Sequence, residues 1–493
     1  MAGWLESAGQ TLLQLLPINE IPPGDRSPYS ALSAMAIDPQ FITLGQLEDF
    51  TAIGGEEALE RELRLRLDAV RIAPAVDYPA VRALKQTALR RSFAYFRDTE
   101  WAGGTRRAAS FRAYADEQAW WLDDYALFRA LHARHGERPW HQWPEPLQRR
   151  EPEALRTARA ELADDVLYRR YLQWVAGDQW GSARDGAGNV RLFGDLPFMV
   201  SADSADVWAR QDEFDLDASV GAPPDAFSET GQDWGFPAYR WDRVAARDFE
   251  WLRNRGRRHS DLFDGYRVDH LVGFYRTYVR PQLGEPHFVP EDQASQLQLG
   301  ERILEMFRAY PAEIIAEDLG TVPGFVRASL RRLGIPGFKV FRWERYWHEP
   351  GQPFKDPTDY PAAGVATSGT HDTEPLIVWW EDASPEERAA VLTLPTFRRL
   401  LSDEDRAAAL TASSLSHPVH EALLEALYAS SADILILPIQ DVFGWGDRIN
   451  EPATVDGGNW TWRLPWPSDR LDGEPQAMSV ATQLREWCVR HRR

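Results

Sequence analysis

The chain has one cysteine, Cys488. That excludes an intramolecular disulfide and any thiolate metal cluster, and Cys488 reads as a structural thiol. No apolar run approaches the length of a membrane span. No basic stretch followed by an apolar core opens the chain, so a cytoplasmic protein is expected. The 11 histidines offer no His-x-x-x-His or HExxH spacing, so no metal is expected. The absence of G-x-S-x-G speaks against a Ser-His-Asp hydrolase. The absence of G-x-x-x-x-G-K-[ST] removes a phosphate-cradling loop, and no cofactor is expected. Positive charge is also short: 55 Lys+Arg face 75 Asp+Glu, a net −20. Such a surface repels phosphate backbones and anionic lipids, which excludes nucleic acid and membranes as partners. A neutral sugar polymer meets no such penalty. No repeat or low-complexity tract is present.

What the chain does have is aromatic surface: 21 Trp, 15 Tyr and 22 Phe. Most are expected to fill the core or cover helices. Trp residues in Gly/Pro-rich loops have no helix face to bury and are candidates for stacking on pyranose rings. Short apolar runs recur at wide spacing: Thr11–Pro17, Val190–Pro197, Gly265–Asp269, Glu313–Glu317, Gly337–Arg342, Gly364–Ser368 and Asp433–Pro438. Their length and composition suit buried parallel strands. Helical stretches such as Glu301–Tyr310 and Pro323–Leu333 lie between them, which argues for an α/β barrel or a doubly wound sheet. The runs number seven, and a closed (β/α)8 barrel needs eight. Between Tyr78 and Gly186 apolar residues recur at three and four positions, so that region reads as amphipathic helices packed beside the sheet. The expected division is residues 1–77 as the start of a barrel, 78–186 as a helical insertion and 187–493 as the rest of the barrel. Ala222–Trp241 shows no periodicity and reads as an irregular loop.

Several carboxylates fall where such strands end, the face that carries chemistry in β/α barrels. They are Asp195, Asp269, Glu317 and Asp372. Arg267 and Asp269, two apart in a strand, point the same way, and an adjacent guanidinium keeps an aspartate ionised. Glu317, beside Asp318 and after an apolar strand, is placed to have a raised pKa and to protonate a glycosidic oxygen. Two carboxyls about 5–5.5 Å apart support a retaining double displacement. His371 beside Asp372 reads as a ligand hydrogen-bonder or a packed histidine.

At these residues the sequence resembles the amylomaltases, or 4-α-glucanotransferases, of glycoside hydrolase family 77. The resemblance runs in order through Ser27–Pro39, Gly194–Trp208, Gly221–Tyr239, Tyr266–Phe274, Ala316–Gly320, Gly334–Val340 and Ser368–Asp372, then PIQDVFGWG and RINEPATVDGGNWTWRL. It implies a (β/α)8 TIM barrel with a helical insertion. It implies Asp269 as nucleophile, Glu317 as general acid and then base, and Asp372 as the grip on the distorted sugar. Arg267, His270 and His371 would surround the same subsite. Asp225, Gln232 and Trp234 in the 222–241 loop would line the glucan groove, and Tyr29, Asp195, Asp318 and Asn450 would add contacts. The implied substrates are α-1,4-glucans with glucose as acceptor, and the expected assembly is a monomer or weak homodimer. The family opens with a strand and a Pro/Ser-rich loop before the helix that precedes TLLQLLPI. Here Met1 falls in that helix, so the first strand is expected to be missing. An α-glucan hydrolase and a non-catalytic glucan-binding protein remain alternatives. The intact set Asp269, Glu317 and Asp372 argues against the last.

Trp234 is expected to shield a glycosyl-enzyme from water and to hold an incoming sugar. Trp234→Ala should therefore raise the ratio of hydrolysis to transfer, measured as reducing ends released per transfer event.

Overall fold

The computed structural model describes residues 1–224, 230–452, 454 and 457–493. In chain order its first strands are β1 (Leu12–Gln14), β2 (Arg191–Leu196), β3 (Phe214–Ala222), β4 (Gln232–Tyr239) and β5 (Gly265–Val268). They continue as β6 (Thr277–Pro281), β7 (His287–Val289), β8 (Glu313–Ala316), β9 (Gly337–Val340), β10 (Gly364–Thr367) and β11 (Ile434–Leu435). Two sheets result. Seven strands form one sheet in the order β1-β2-β5-β8-β9-β10-β11, every ladder parallel. This is the wall of the expected barrel, and each of the seven apolar runs supplies one strand. Among the described residues no ladder joins β1 to β11. The other sheet is antiparallel, in the order β4-β3-β6-β7.

Alternation along the barrel strands separates an apolar layer from a polar one. Phe193, Ile315, Phe338, Val365 and Ile434 pack together inside the wall. Two residues further on, where the side chain points the same way, β2 presents Asp195 and the end of β8 presents Glu317. The apolar layer therefore serves as the floor beneath the charged side chains. Its fit is tight. A Cβ built on Gly265 would lie 2.4 Å from the Phe193 ring.

The segment between β1 and β2 is helical, including Tyr78–Tyr95, Arg106–Glu117, Ala119–Arg134 and the 23-residue helix Ala163–Asp185. Asp77 and Thr105 cap the first two of these through their side chains. Phe93, Phe96, Phe111, Tyr168 and Tyr171 fill the interior of this segment.

Ala222–Trp241, expected to be irregular, is partly a strand. Gln232–Tyr239 pairs antiparallel with β3, with one register shift between Asp215 and Ser219 on β3 and another that leaves Trp234 and Gly235 as extra residues on β4. The crossing needs Gly221, where a Cβ would fall 1.9 Å from the Gln232 carbonyl. Gly235, at positive φ within the strand, bends it, which removes the strict alternation by which a strand is recognised.

Gly265→Ala should overpack the floor against Phe193 and cost about 1–3 kcal/mol, read as a lower denaturant midpoint.

Candidate active site

The site grows out of two neighbouring strand ends. Arg267 pairs in register with Asp195 across β5 and β2. On the other side, Val268 pairs with Ala316, which sets Asp269 opposite Glu317 one step beyond. The chain keeps that register past the ladder. The Asp269 N–H donates to the Leu196 carbonyl at 3.0 Å and the Glu317 N–H to the Val268 carbonyl at 3.1 Å.

Arg267, 5% exposed, is the centre of the cluster. Its Nη1 donates to both Asp195 oxygens, at 2.9 and 2.7 Å. Its Nη2 contacts Asp269 Oδ1 at 2.7 Å. Asp195 also accepts from the Tyr29 hydroxyl at 2.7 Å. Burial pushes the Asp195 carboxyl up, and Arg267 opposes that shift.

Glu317 differs in state from its neighbours. Its Oε2 accepts from the His270 N–H at 2.8 Å and its Oε1 from the Leu319 N–H at 2.9 Å. Burial nonetheless pushes the carboxyl up to about 7, with Asp269 and Asp318 adding to the rise and Arg267 opposing it. Desolvation is the largest influence here and outweighs both the Arg267 guanidinium and the amide donors. Asp372 is the opposite case. Burial alone would raise it, but His371 and Asn450 outweigh burial and hold it down at about 2. Asn450 donates to its Oδ1 at 2.7 Å and His371 Nε2 lies 3.3 Å from its Oδ2.

Around these groups stands an aromatic frame. Tyr29 stacks on His371 with ring centroids 5.4 Å apart, and its hydroxyl lies 3.2 Å from His371 Nε2. Trp234 meets the His270 ring edge-on at 4.7 Å, and its Nε1 donates to Gln232 at 3.0 Å. Burial lowers the His270 imidazole to about 4, so the ring packs against Trp234 uncharged.

The structure thus brings together Tyr29, Asp195, Gln232, Trp234, Arg267, Asp269, His270, Glu317, His371, Asp372 and Asn450. Asp318 stands apart. It faces Lys339 at 3.9 Å and crowds Gly337, and it makes no hydrogen bond to the other described site residues. Asp225 lies outside the described residues. Two contributors were not singled out from sequence. Trp460 packs on both Tyr29 and His371, at 5.9 and 5.6 Å. Arg448 donates to the Asp372 carbonyl at 2.8 Å. The signal for Trp460 was its place in a Gly/Asn-rich loop. Arg448 carried none.

The family model described as 4-alpha-glucanotransferase matches residues 1–469. A 4-alpha-glucanotransferase from Thermus thermophilus is 36% identical over 94% of this chain and 89% of its own. One from a Synechocystis strain is 32% identical over 98% of this chain and 92% of its own. The amylomaltase of Streptococcus agalactiae, solved in complex with acarbose, superposes with a TM-score of 0.82 at 27% identity, covering 100% of this chain and 94% of that one.

The Glu317 pKa sets a stability profile. The folded protein holds this proton more tightly than an unfolded chain with a carboxyl near 4.5. Glu317 therefore contributes stability at low pH that is lost as pH rises from about 4.5 to about 7. Thermal denaturation of Glu317→Gln against pH should lack that loss.

Proposed function

The chain belongs to the 4-alpha-glucanotransferase family, and on that premise we propose that Asp269, Glu317 and Asp372 carry its reaction at the barrel mouth. The protein is an enzyme that transfers α-1,4-glucan segments. The observation that carries the residue assignment is the register that sets Asp269 opposite Glu317, with Arg267 bound to the first and a proton favoured on the second.

In the proposed reaction, Glu317 gives its proton to the glycosidic oxygen as the bond from C1 to that oxygen breaks. The ionised Asp269 carboxylate attacks C1 from the other face, and a glycosyl ester forms. The leaving segment departs with a free 4-hydroxyl. Glu317, now a carboxylate, takes the proton of an acceptor 4-hydroxyl. The acceptor oxygen attacks C1 and Asp269 is released, so the anomeric configuration is retained and no water is consumed. Asp372, ionised throughout the neutral range, accepts hydrogen bonds from ring hydroxyls that strengthen as the sugar distorts. Arg267 holds Asp269 in line by its second nitrogen while Asp195 and Tyr29 fix the first. Trp234, braced on His270, covers the ester and excludes water. The neutral glucan and a glucose acceptor suit a site whose ligands are hydroxyl-binding carboxylates and aromatic faces.

Incubation with maltotriose tests this reading. Glucose and longer dextrins should form at constant total reducing ends. A rise in reducing ends would indicate hydrolysis instead. Asp269→Asn and Glu317→Gln should each lower turnover by roughly 10²–10⁴-fold. In the parent, kcat/KM should fall as pH rises through about 7, where Glu317 loses the proton it must donate.

A further inference from the structure

A second polar cluster lies apart from the strand ends, between residues 20–40 and the helices Tyr78–Tyr95 and Ala163–Asp185. It surrounds a cavity of about 80 Å³ whose charged lining includes Glu20, Asp38, Arg82, Lys85, Arg129 and Arg169. A water occupies about 10–15 Å³ of such space, so the cavity suits a group of about five non-hydrogen atoms.

The charges do not balance within the cluster. Glu20 is taken up by Arg129 at 3.0 Å and by the Tyr125 hydroxyl. Glu137, also on the lining, is held by Arg129 at 3.0 Å and His132 at 2.7 Å. Asp38 accepts from the N–H groups of Ile21 and Gln40, at 3.2 and 2.8 Å. All three carboxylates take their hydrogen bonds from groups other than Arg82, Lys85 and Arg169; Arg169 acts on Glu20 and Arg82 and Lys85 act on Asp38 only through space, and none of the three cations forms an ion pair within 4 Å among the described residues. Among the described residues Lys85 donates only to the carbonyls of Gln40 and Ile42, at 2.5 and 2.7 Å. One terminal nitrogen of Arg82 donates to the Ile21 carbonyl at 3.2 Å, while the other is buried without a partner. Arg169 is 7% exposed, touches the Tyr168 ring face at 5.6 Å, and has a buried Nε with no hydrogen-bond partner. Burial lowers Lys85 to about 8 and lowers Arg169 as well, so both cations are held against a desolvation cost. Buried guanidinium donors without acceptors are costly.

We propose that this cavity binds a tetrahedral oxyanion of the phosphate class, held by Arg82, Lys85 and Arg169. Size favours a tetrahedral ion, and guanidinium forks match phosphate oxygens. The oxyanion is either free phosphate or the phosphoryl group of a phosphate monoester. Its occupant would clamp the 20–40 segment, which carries Tyr29, against the two helices.

The test is calorimetric titration of the full chain with inorganic phosphate and with glucose 1-phosphate, using sodium chloride at matched ionic strength as control. Thermal denaturation is followed in parallel. Saturable binding and a raised Tm are expected. Binding of phosphate itself supports the free ion. Binding of the monoester alone supports the second source. Arg169→Met and Arg82→Gln should each weaken binding by roughly tenfold or more, while Asp269→Asn should leave it intact. Arg82 is only half-buried, so Arg82→Gln decides the matter if Arg169→Met fails to fold. Failure of both ligands to bind, as when ordered water alone fills the cavity, would overturn the proposal. So would binding that survives in Arg82→Gln, or a Tm rise matched by neutral maltotriose and equal in parent and Arg82→Gln.

Discussion

Arg267 shares one guanidinium between two carboxylates on different elements, and the polar end of the barrel is organised around that contact. One nitrogen is committed to Asp195 on the neighbouring strand, the other to Asp269 two residues along its own strand. A buried cation between two carboxylates leaves the group with an excess of negative charge. Glu317 is brought alongside and keeps its proton chiefly because it is buried, with Asp269 adding to the rise and Arg267 opposing it. Burial of Glu317 and the Arg267 contact of Asp269 thus give different surroundings to two acids that a strand register places side by side. Removing one partner of such a buried group costs about 3–5 kcal/mol, so the contact bears on folding as well as on chemistry.

The apolar layer below makes this possible. Phe193, Ile315, Phe338, Val365 and Ile434 pack together in the barrel interior, so the charged layer rests on apolar side chains. The electrostatics above act in a medium where a nearby charge counts for more than in water. The price is that small residues become obligatory on the wall: Gly265 exists to admit Phe193, and Gly337 to admit Asp318.

Segments far apart in the chain complete the frame. Tyr29 comes from the stretch after β1, Trp234 from the antiparallel sheet, and Asn450 and Trp460 from the region after β11. Trp460 is itself tied to the helical segment, since its carbonyl accepts from the Tyr78 hydroxyl at 2.8 Å. The same helices wall the basic cavity, so one structural segment borders both the aromatic frame and the Arg82–Arg169 cluster.

The seven barrel strands and the carboxylates at their ends were legible in the sequence, because strand burial and side-chain alternation are local patterns read over five to eight residues. Asp269 and Glu317 could be named for the same reason, each by its own strand. What only the tertiary structure decided is what depends on convergence. Whether Glu317 holds a proton follows from Asp269, Arg267 and burial together, which come from separate strands. Asp318, adjacent in sequence to Glu317, was grouped with it, yet alternation turns its side chain to Lys339. Gln232–Tyr239 escaped recognition as a strand because a glycine bend broke its period. The cavity lined by Arg82, Lys85 and Arg169 has no linear signature at all, since its cations sit on two helices about eighty residues apart and become neighbours only when those helices pack.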